Sequence, residues 1–183
     1  MALAPTLYDF DVTLSHVDRS FEQRLKLRPA LHPSESRERL WLRVIAYCWL
    51  WDERIAFGPG LSEADSPDLV STDLTGGLTQ WIRVGKADPA KIRHAVRHHP
   101  AAKVAVLFES PSRMEAFLGA AQEQAIGQLS AVRLAAVDSA LLAELAAEES
   151  RRTQLSLTIV GDHLYIDRGG RSLDGPLALR SAP

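Results

Sequence analysis

Residues Leu78 to Val84 constrain this chain more than any other stretch. Leu78, Gln80, Ile82 and Val84 alternate with Thr79, Trp81 and Arg83, so large apolar side chains stand on both faces of one predicted strand. A strand of that kind has to be covered above and below, which makes it a central strand. The residues that follow supply the cover. After Asp88-Pro89 a helix is predicted through about His98, and Lys103 to Phe108 reads as a strand. Ser110-Pro111 opens a further helix, with Ser as N-cap and Pro at the first helical position, and Val132 to Val137 is again a strand. Asp138 caps an Ala- and Leu-rich helix to about Glu149. This order places the chain in the α/β (α+β) class.

Around that centre the pattern predicts a β-hairpin at each end. Tyr8 to Leu14 and Phe21 to Leu27 form the first, and Leu155 to Arg168, split at Gly161-Asp162, forms the second, with a short last strand at Leu177 to Leu179. A long helix over residues 34–53 is predicted behind Pro33, with Ser34 as N-cap. Short strands are predicted at 54–57 and 69–74, separated by a loop containing Gly58, Pro59, Gly60 and Pro67, and Gly76-Gly77 turns the chain into the central strand. With 183 residues and no repeat or linker, a single domain over residues 1–183 is expected: a mixed β-sheet flanked by helices.

Charge and cysteine content narrow the functions. Lys and Arg number 21 against 23 Asp and Glu, a net charge of −2, which argues against a protein that coats nucleic acid with its whole surface and leaves room for a local basic patch. Cys48 is the single cysteine, so an intrachain disulfide and a multi-cysteine metal site are excluded. The longest apolar run, Val44 to Trp51, is far shorter than a membrane span, and the N-terminal residues lack the basic and apolar regions of a signal peptide. Together these predict a cytoplasmic protein without membrane contact. Walker, dinucleotide-binding and Gly-x-Ser-x-Gly patterns are all missing.

Three groups of residues invite a chemical reading. With Glu38 as angular origin, Trp41, Leu42, Ile45 and Trp49 fall within about 60° on a helical wheel, and Glu35 stands at the edge of that arc. The two carboxylates either favour the helix start and pair with Arg39 or Arg43, or serve as ligand or acid–base at the rim of the core. Arg83, inside an apolar strand, needs a carboxylate or a route to solvent, and Asp73 across the Gly76-Gly77 turn is the nearest acid in the predicted hairpin. The third group is basic. Lys86, Lys91, Arg93, Arg97 and Lys103 face only Asp88 in their stretch, whereas Asp138 to Glu149 holds four acids and no base, an asymmetry able to steer a polyanion. His94 and His98 share a helical face but lack a third ligand nearby, so a solvated basic face is the preferred reading over zinc.

Taken in order, several segments resemble the YaeQ family of small bacterial proteins. They are His32-Pro33-Ser34-Glu35-Ser36-Arg37-Glu38-Arg39, Arg54-Ile55-Ala56-Phe57-Gly58-Pro59-Gly60-Leu61, Pro67-Asp68-Leu69 leading to Asp73-Leu74-Thr75-Gly76, and Trp81-Ile82-Arg83-Val84-Gly85. The Met1-Ala2-Leu3 start and the Gly161-Asp162 hairpin match as well. The resemblance implies a variation of the PD-(D/E)XK restriction-endonuclease-like core, in which a helix carboxylate and two strand carboxylates gather Mg²⁺ or Mn²⁺. Carried onto this chain, Glu38 is the favoured helix carboxylate with Glu35 as alternate, Asp73 is the strand acid, and Lys86 takes the lysine role. Arg83 occupies the place of the third carboxylate. A guanidinium offers a hard dication no oxygen, so the ligand set is short by one. The sequence therefore predicts that Glu38, Asp73 and Arg83 converge. It favours a nucleic-acid or phosphate-binding module, DNA or RNA, acting through Lys86, Arg93 and Arg97. A metal-dependent nuclease or phosphodiesterase and a protein-interaction role are the alternatives.

Overall fold

The computed structural model describes residues 4–58 and 66–181. Among them the chain runs β1 (Thr6–Leu7), β2 (Asp9–His16), a 3-10 turn (Val17–Arg19), β3 (Phe21–Leu27), β4 (Ala30–Leu31), α1 (Arg37–Trp49), β5 (Ala56–Phe57), β6 (Leu69–Thr72), β7 (Leu78–Val84), α2 (Pro89–His98), β8 (Lys103–Phe108), α3 (Pro111–Glu123), β9 (Arg133–Val137), α4 (Ser139–Ala147), β10 (Arg152–Val160), β11 (His163–Arg168) and β12 (Arg171–Ser181). Ten strands form one mixed sheet in the order β3-β2-β10-β11-β12-β9-β8-β7-β6-β5, and β1 pairs with β4 separately. No helix among the described residues is long and apolar enough to cross a membrane.

The two faces of β7 explain the layers. Ile82 and Val84 enter a core that also holds Val44 and Ile45 of α1, Leu142 and Leu145 of α4, and the inward residues of β2 and β10. Trp81 enters a second core with Ile92 of α2, Met114 and Phe117 of α3, and Val104, Val106 and Phe108 of β8. β7, β8 and β9 are parallel, and α2 and α3 are their crossovers, as parallel neighbours require. The β2 half of the sheet is covered on one face only: Phe10, Val12 and Leu14 are buried, while Asp9 and Thr13 on the other face are exposed.

Several boundaries differ from the sequence reading. α1 begins at Arg37, and its cap is Ser36 rather than Ser34, Ser36 Oγ accepting from Arg39 N at 3.3 Å. His32 to Glu35 fold into a turn instead, with Glu35 N donating to His32 O at 2.8 Å and His32 Nδ1 bonded to Ser34 Oγ at 2.8 Å. The last strand is far longer than residues 177–179. It starts behind the Gly169-Gly170 turn, both glycines at positive φ, pairs with β11, passes Gly175-Pro176 and then pairs with β9. Gly175 permits this passage, since a Cβ there would meet Leu141 and Asp138 at 3.2–3.3 Å. The two end hairpins are also not separate additions, because β2 pairs in parallel with β10 over Asp9 to His16. The Met1-Ala2-Leu3 start and most of the loop with Pro59 and Gly60 lie outside the described residues.

Candidate functional site

Where β6 begins and β7 ends, α1 lays a basic helix start across the sheet. Arg39 is the hub. Its Nε donates to Glu35 Oε1 at 2.9 Å, Nη1 to the Val84 carbonyl at 2.8 Å, and Nη2 to Asp68 Oδ1. Asp68 Oδ2 accepts from Val84 N at 2.8 Å and lies 3.7 Å from Arg83 Nε. Arg43 Nη2 reaches Glu35 Oε2 at 3.3 Å and the Ala30 carbonyl at 2.7 Å, and His32 N donates to the same Glu35 oxygen at 2.8 Å. The Glu35 and Asp68 side chains are each 2% exposed. Two buried carboxylates thus face three guanidiniums, which is how buried charge is tolerated. Burial pushes the Asp68 carboxyl upward, opposed by Arg39, the Val84 N–H, Arg83 and Arg43.

Of the three residues expected to converge, only Arg83 is in this cluster. Glu38 is exposed in the first turn of α1, because a helix beginning at Arg37 leaves it where a carboxylate faces the open helix N-terminus. Its alternate, Glu35, precedes the cap and folds inward. Asp73 belongs to the turn between β6 and β7: its Oδ1 accepts from Thr75 N, Thr75 Oγ1 and Gly77 N at 2.7–2.8 Å, and the residue is exposed. Those donors hold its carboxyl below the ordinary aspartate range, Thr75 first. Leu69 pairs with Ile82 in antiparallel register, so the residue across from Arg83 is Asp68, whereas Asp73 sits by the turn, five strand residues or roughly 17 Å away. The pairing of Glu35 with Arg39 and Arg43 is one of the two readings the sequence offered, whereas Asp68 was missed as the partner of Arg83, because the register shifts between Ser71 and Thr72 and a simple count from Gly76-Gly77 does not lead to it.

This donor set does not suit Mg²⁺ or Mn²⁺. The carboxylate oxygens already accept from guanidinium and backbone N–H groups, and no group of three or more His, Cys, Asp or Glu able to hold a metal occurs among the described residues. Nearby, Gly85 takes φ 73° and its N donates to Leu107 O at 2.8 Å; a Cβ there would lie 3.3 Å from Arg39 Nη1 and 3.8 Å from Glu109 Oε2. Glu109 Oε2 is buried without a hydrogen-bond partner among the described residues, while Oε1 is 3.2 Å from Arg113. Cys48 offers no nucleophile: it is fully buried and its thiol is pushed up to about 12.

On the opposite side of β7, facing α2, is a cleft of about 830 Å³. Its lining includes Trp81, Ile92 and Ala95, which are apolar, and Arg83, Lys86, Lys91, His94, His98 and His99, with Asp88 as the acid. Asp88 accepts from Lys91 N at 3.0 Å as the cap of α2. The imidazoles of His94 and His98 stand 3.9 Å apart, ring centre to ring centre. Arg93 and Arg97 are not in the lining. They fall about 60–100° around the helix from His94, so of the basic residues singled out on the sequence as phosphate contacts only Lys86 borders the cleft, together with Arg83. Arg83 therefore touches both places, with Nη1 also donating to Ser66 O at 2.7 Å.

A family model described as YaeQ protein matches residues 1–175. Proteins named YaeQ from Salmonella typhi and from Escherichia coli K12 are each 30% identical to this chain over 183 residues, covering all of it and 99% of their own length. The crystal structure of a YaeQ protein from Xanthomonas axonopodis pv. citri superposes with a TM-score of 0.86 at 28% identity, over 98% of this chain and 99% of that one. That of a YaeQ protein from Pseudomonas syringae gives 0.84 at 28% identity, over 98% and 96%.

Proposed function

The chain belongs to the YaeQ family, and from that premise we propose that it is a phosphate-recognising module of the cytoplasm, on a nuclease-like scaffold, whose ligand is DNA or RNA. The observation that carries this reading is the division of charge about β7. On the α1 side the acids are saturated by arginines, and on the α2 side cations line a cleft over an apolar floor. Cationic rims over apolar floors suit single-stranded nucleic acid, whose phosphates track charge while bases seek flat apolar surface. Retention on immobilised single-stranded DNA at low salt is the expected result, falling steeply as salt rises. Lys86→Ala with Lys91→Ala should remove it. Wild-type protein that flows through at low salt would overturn the proposal.

A metal-dependent nuclease is the second reading, and one observation favours it: the unpaired Glu109 oxygen beside Gly85, at the carboxyl ends of parallel β7 and β8. Its test is cleavage of a mixed DNA and RNA panel with Mn²⁺. Turnover abolished by Glu109→Gln in a variant that keeps the parent's unfolding midpoint would support it, and intact substrate would reject it.

A further inference from the structure

A different part of the surface holds two arginines with no ion-pair partner among the described residues. Arg19, in the 3-10 turn, lays its guanidinium over the Phe21 ring at 4.9 Å and donates from Nη1 to the Trp51 carbonyl at 3.0 Å. Phe21 and Trp51 are stacked at 5.0 Å. Arg133, which opens β9, lies over the ring of Trp49 at 5.1 Å. Each guanidinium is thus held by an aromatic face, and since Trp49 and Trp51 are two residues apart both stand at the C-terminal end of α1; the basicity of Arg133 is lowered by burial first and then by the charge of Arg19. Elsewhere this chain pairs such groups: Arg24 with Asp11, Arg168 with Glu148, Arg171 with Glu144. Here, among the described residues, neither arginine has a carboxylate in ion-pair contact. Asp18, the nearest acid in sequence, accepts from Gly161 N at 2.7 Å instead. His16, whose ring lies 5.9 Å from that of Phe21 and whose side chain is 10% exposed, has an Nδ1 without a hydrogen-bond partner among the described residues, 4.0 Å from Asp18. Its basicity is lowered by burial first, then by Arg19, with Arg133 adding to this and Asp18 opposing.

We infer that Arg19 and Arg133 form an anion site, separate from the cleft, that takes a phosphate group. Two guanidiniums already fixed by ring stacking lose little freedom on binding, and their N–H forks match phosphate oxygens. An anion between them also relieves their mutual repulsion, which no carboxylate among the described residues does by ion-pair contact. The half-buried rings of Phe21 and Trp51 beside them offer a planar surface to a base or sugar attached to that phosphate.

The test follows the indole N–H resonances of ¹⁵N-labelled protein, assigned by Trp→Phe variants, during titration with inorganic phosphate and with adenosine monophosphate, at constant ionic strength set with chloride. Trp49 and Trp51 should shift and saturate below about 10 mM. Binding should weaken at least tenfold in Arg19→Gln and in Arg133→Gln and persist in the Lys86→Ala, Lys91→Ala double variant. Each variant's remaining resonances report its fold; should Arg133→Gln not fold, Arg133→Lys keeps the charge, loses the planar stack, and is expected to weaken binding severalfold. A stronger response to the nucleotide assigns the ring surface to its base, and an equal response assigns the site to phosphate alone. Shifts confined to Trp81, shifts that do not saturate, or unchanged affinity in both arginine variants would each overturn the inference.

Discussion

The β6–β7 hairpin carries an aspartate at each end, and the two lead opposite lives. Asp68, at the open end, is buried, holds Arg39 and a backbone N–H, and ties α1 to the sheet. Asp73, at the closed end, is exposed and organises the turn. Both are aspartates in the strand pairing with that of Arg83, or at its ends, yet register alone decides which meets it. What differs energetically is what removal leaves behind: an uncompensated cluster of buried cations at one end, a loosened turn in water at the other.

The sharpest way to break this contrast is to truncate each acid. Asp68→Ala strands Arg39 and the Val84 N–H and is expected to cost about 3–5 kcal/mol in denaturant unfolding. Asp73→Ala and Glu38→Ala should cost far less. Equal midpoint losses at Asp68 and Asp73 would erase the distinction.

Charge reversal at the residue opposite Asp68 comes next. Arg83→Glu exchanges a cation for a carboxylate beside it, so Mn²⁺ at tenfold excess over its Kd should stabilise that variant by about 1.4 kcal/mol, roughly 2–4 °C in melting temperature. Each protein is compared with its own metal-free sample. The parent, with its carboxylates held by arginines, should show little or no rise, and an equal rise in both would mean that Arg83 does not occupy a ligand position.

Arg83 also borders the cleft, where the effect is one of binding rather than folding. If single-stranded DNA lies along it, Lys86→Ala with Lys91→Ala should reduce the slope of log K against log salt by about 1.4, at roughly 0.7 per lost phosphate contact. Arg93→Ala with Arg97→Ala, on the flank of the same helix, should change it less. The reverse ranking would move the nucleic acid off the cleft.

The smallest effect is the pH dependence of the turn. The Asp73 carboxyl titrates lower in the folded chain than its ordinary 3.8, so its contribution is present above that value and lost as pH falls through and below it. The stability gap between parent and Asp73→Ala should therefore narrow between neutral pH and acid. A gap independent of pH would show that the Thr75 and Gly77 bonds do not favour the ionised form.

Most elements of this fold are legible in the sequence because their signals are local. The apolar faces of Leu78 to Val84, the Asp88-Pro89 and Ser110-Pro111 helix starts and the Gly161 hairpin are each determined by residues within one turn of themselves, and each occurs as expected. The cluster is harder to read because it depends on non-local register. A helical wheel puts Glu38 in line with Trp41 and Ile45 wherever the helix starts but does not show how far along the axis the core reaches, and Glu38 in the first turn is exposed, whereas Glu35, ahead of the Ser36 cap, turns inward by a route no periodicity describes. Pro67-Asp68 stands among the segments that carry the family resemblance, but proximity to the glycine turn favours Asp73 as the partner of Arg83. The full length of β12 is hidden by Asp174-Gly175-Pro176, which reads as a break and is tolerated because α4 packs against the missing side chain.

The parallel seam between β2 and β10 has a consequence for how the chain comes off the ribosome. Asp9 waits for Arg152, and Phe10 for Thr153, so the first hairpin emerges with one edge unsatisfied and keeps it until nearly the whole polypeptide has been made. Such long-range pairing slows folding and leaves a nascent strand open to foreign partners. The outward row of Asp11 opposite Lys26 and Thr13 opposite Arg24, polar and of mixed sign, is well suited to guard that interval.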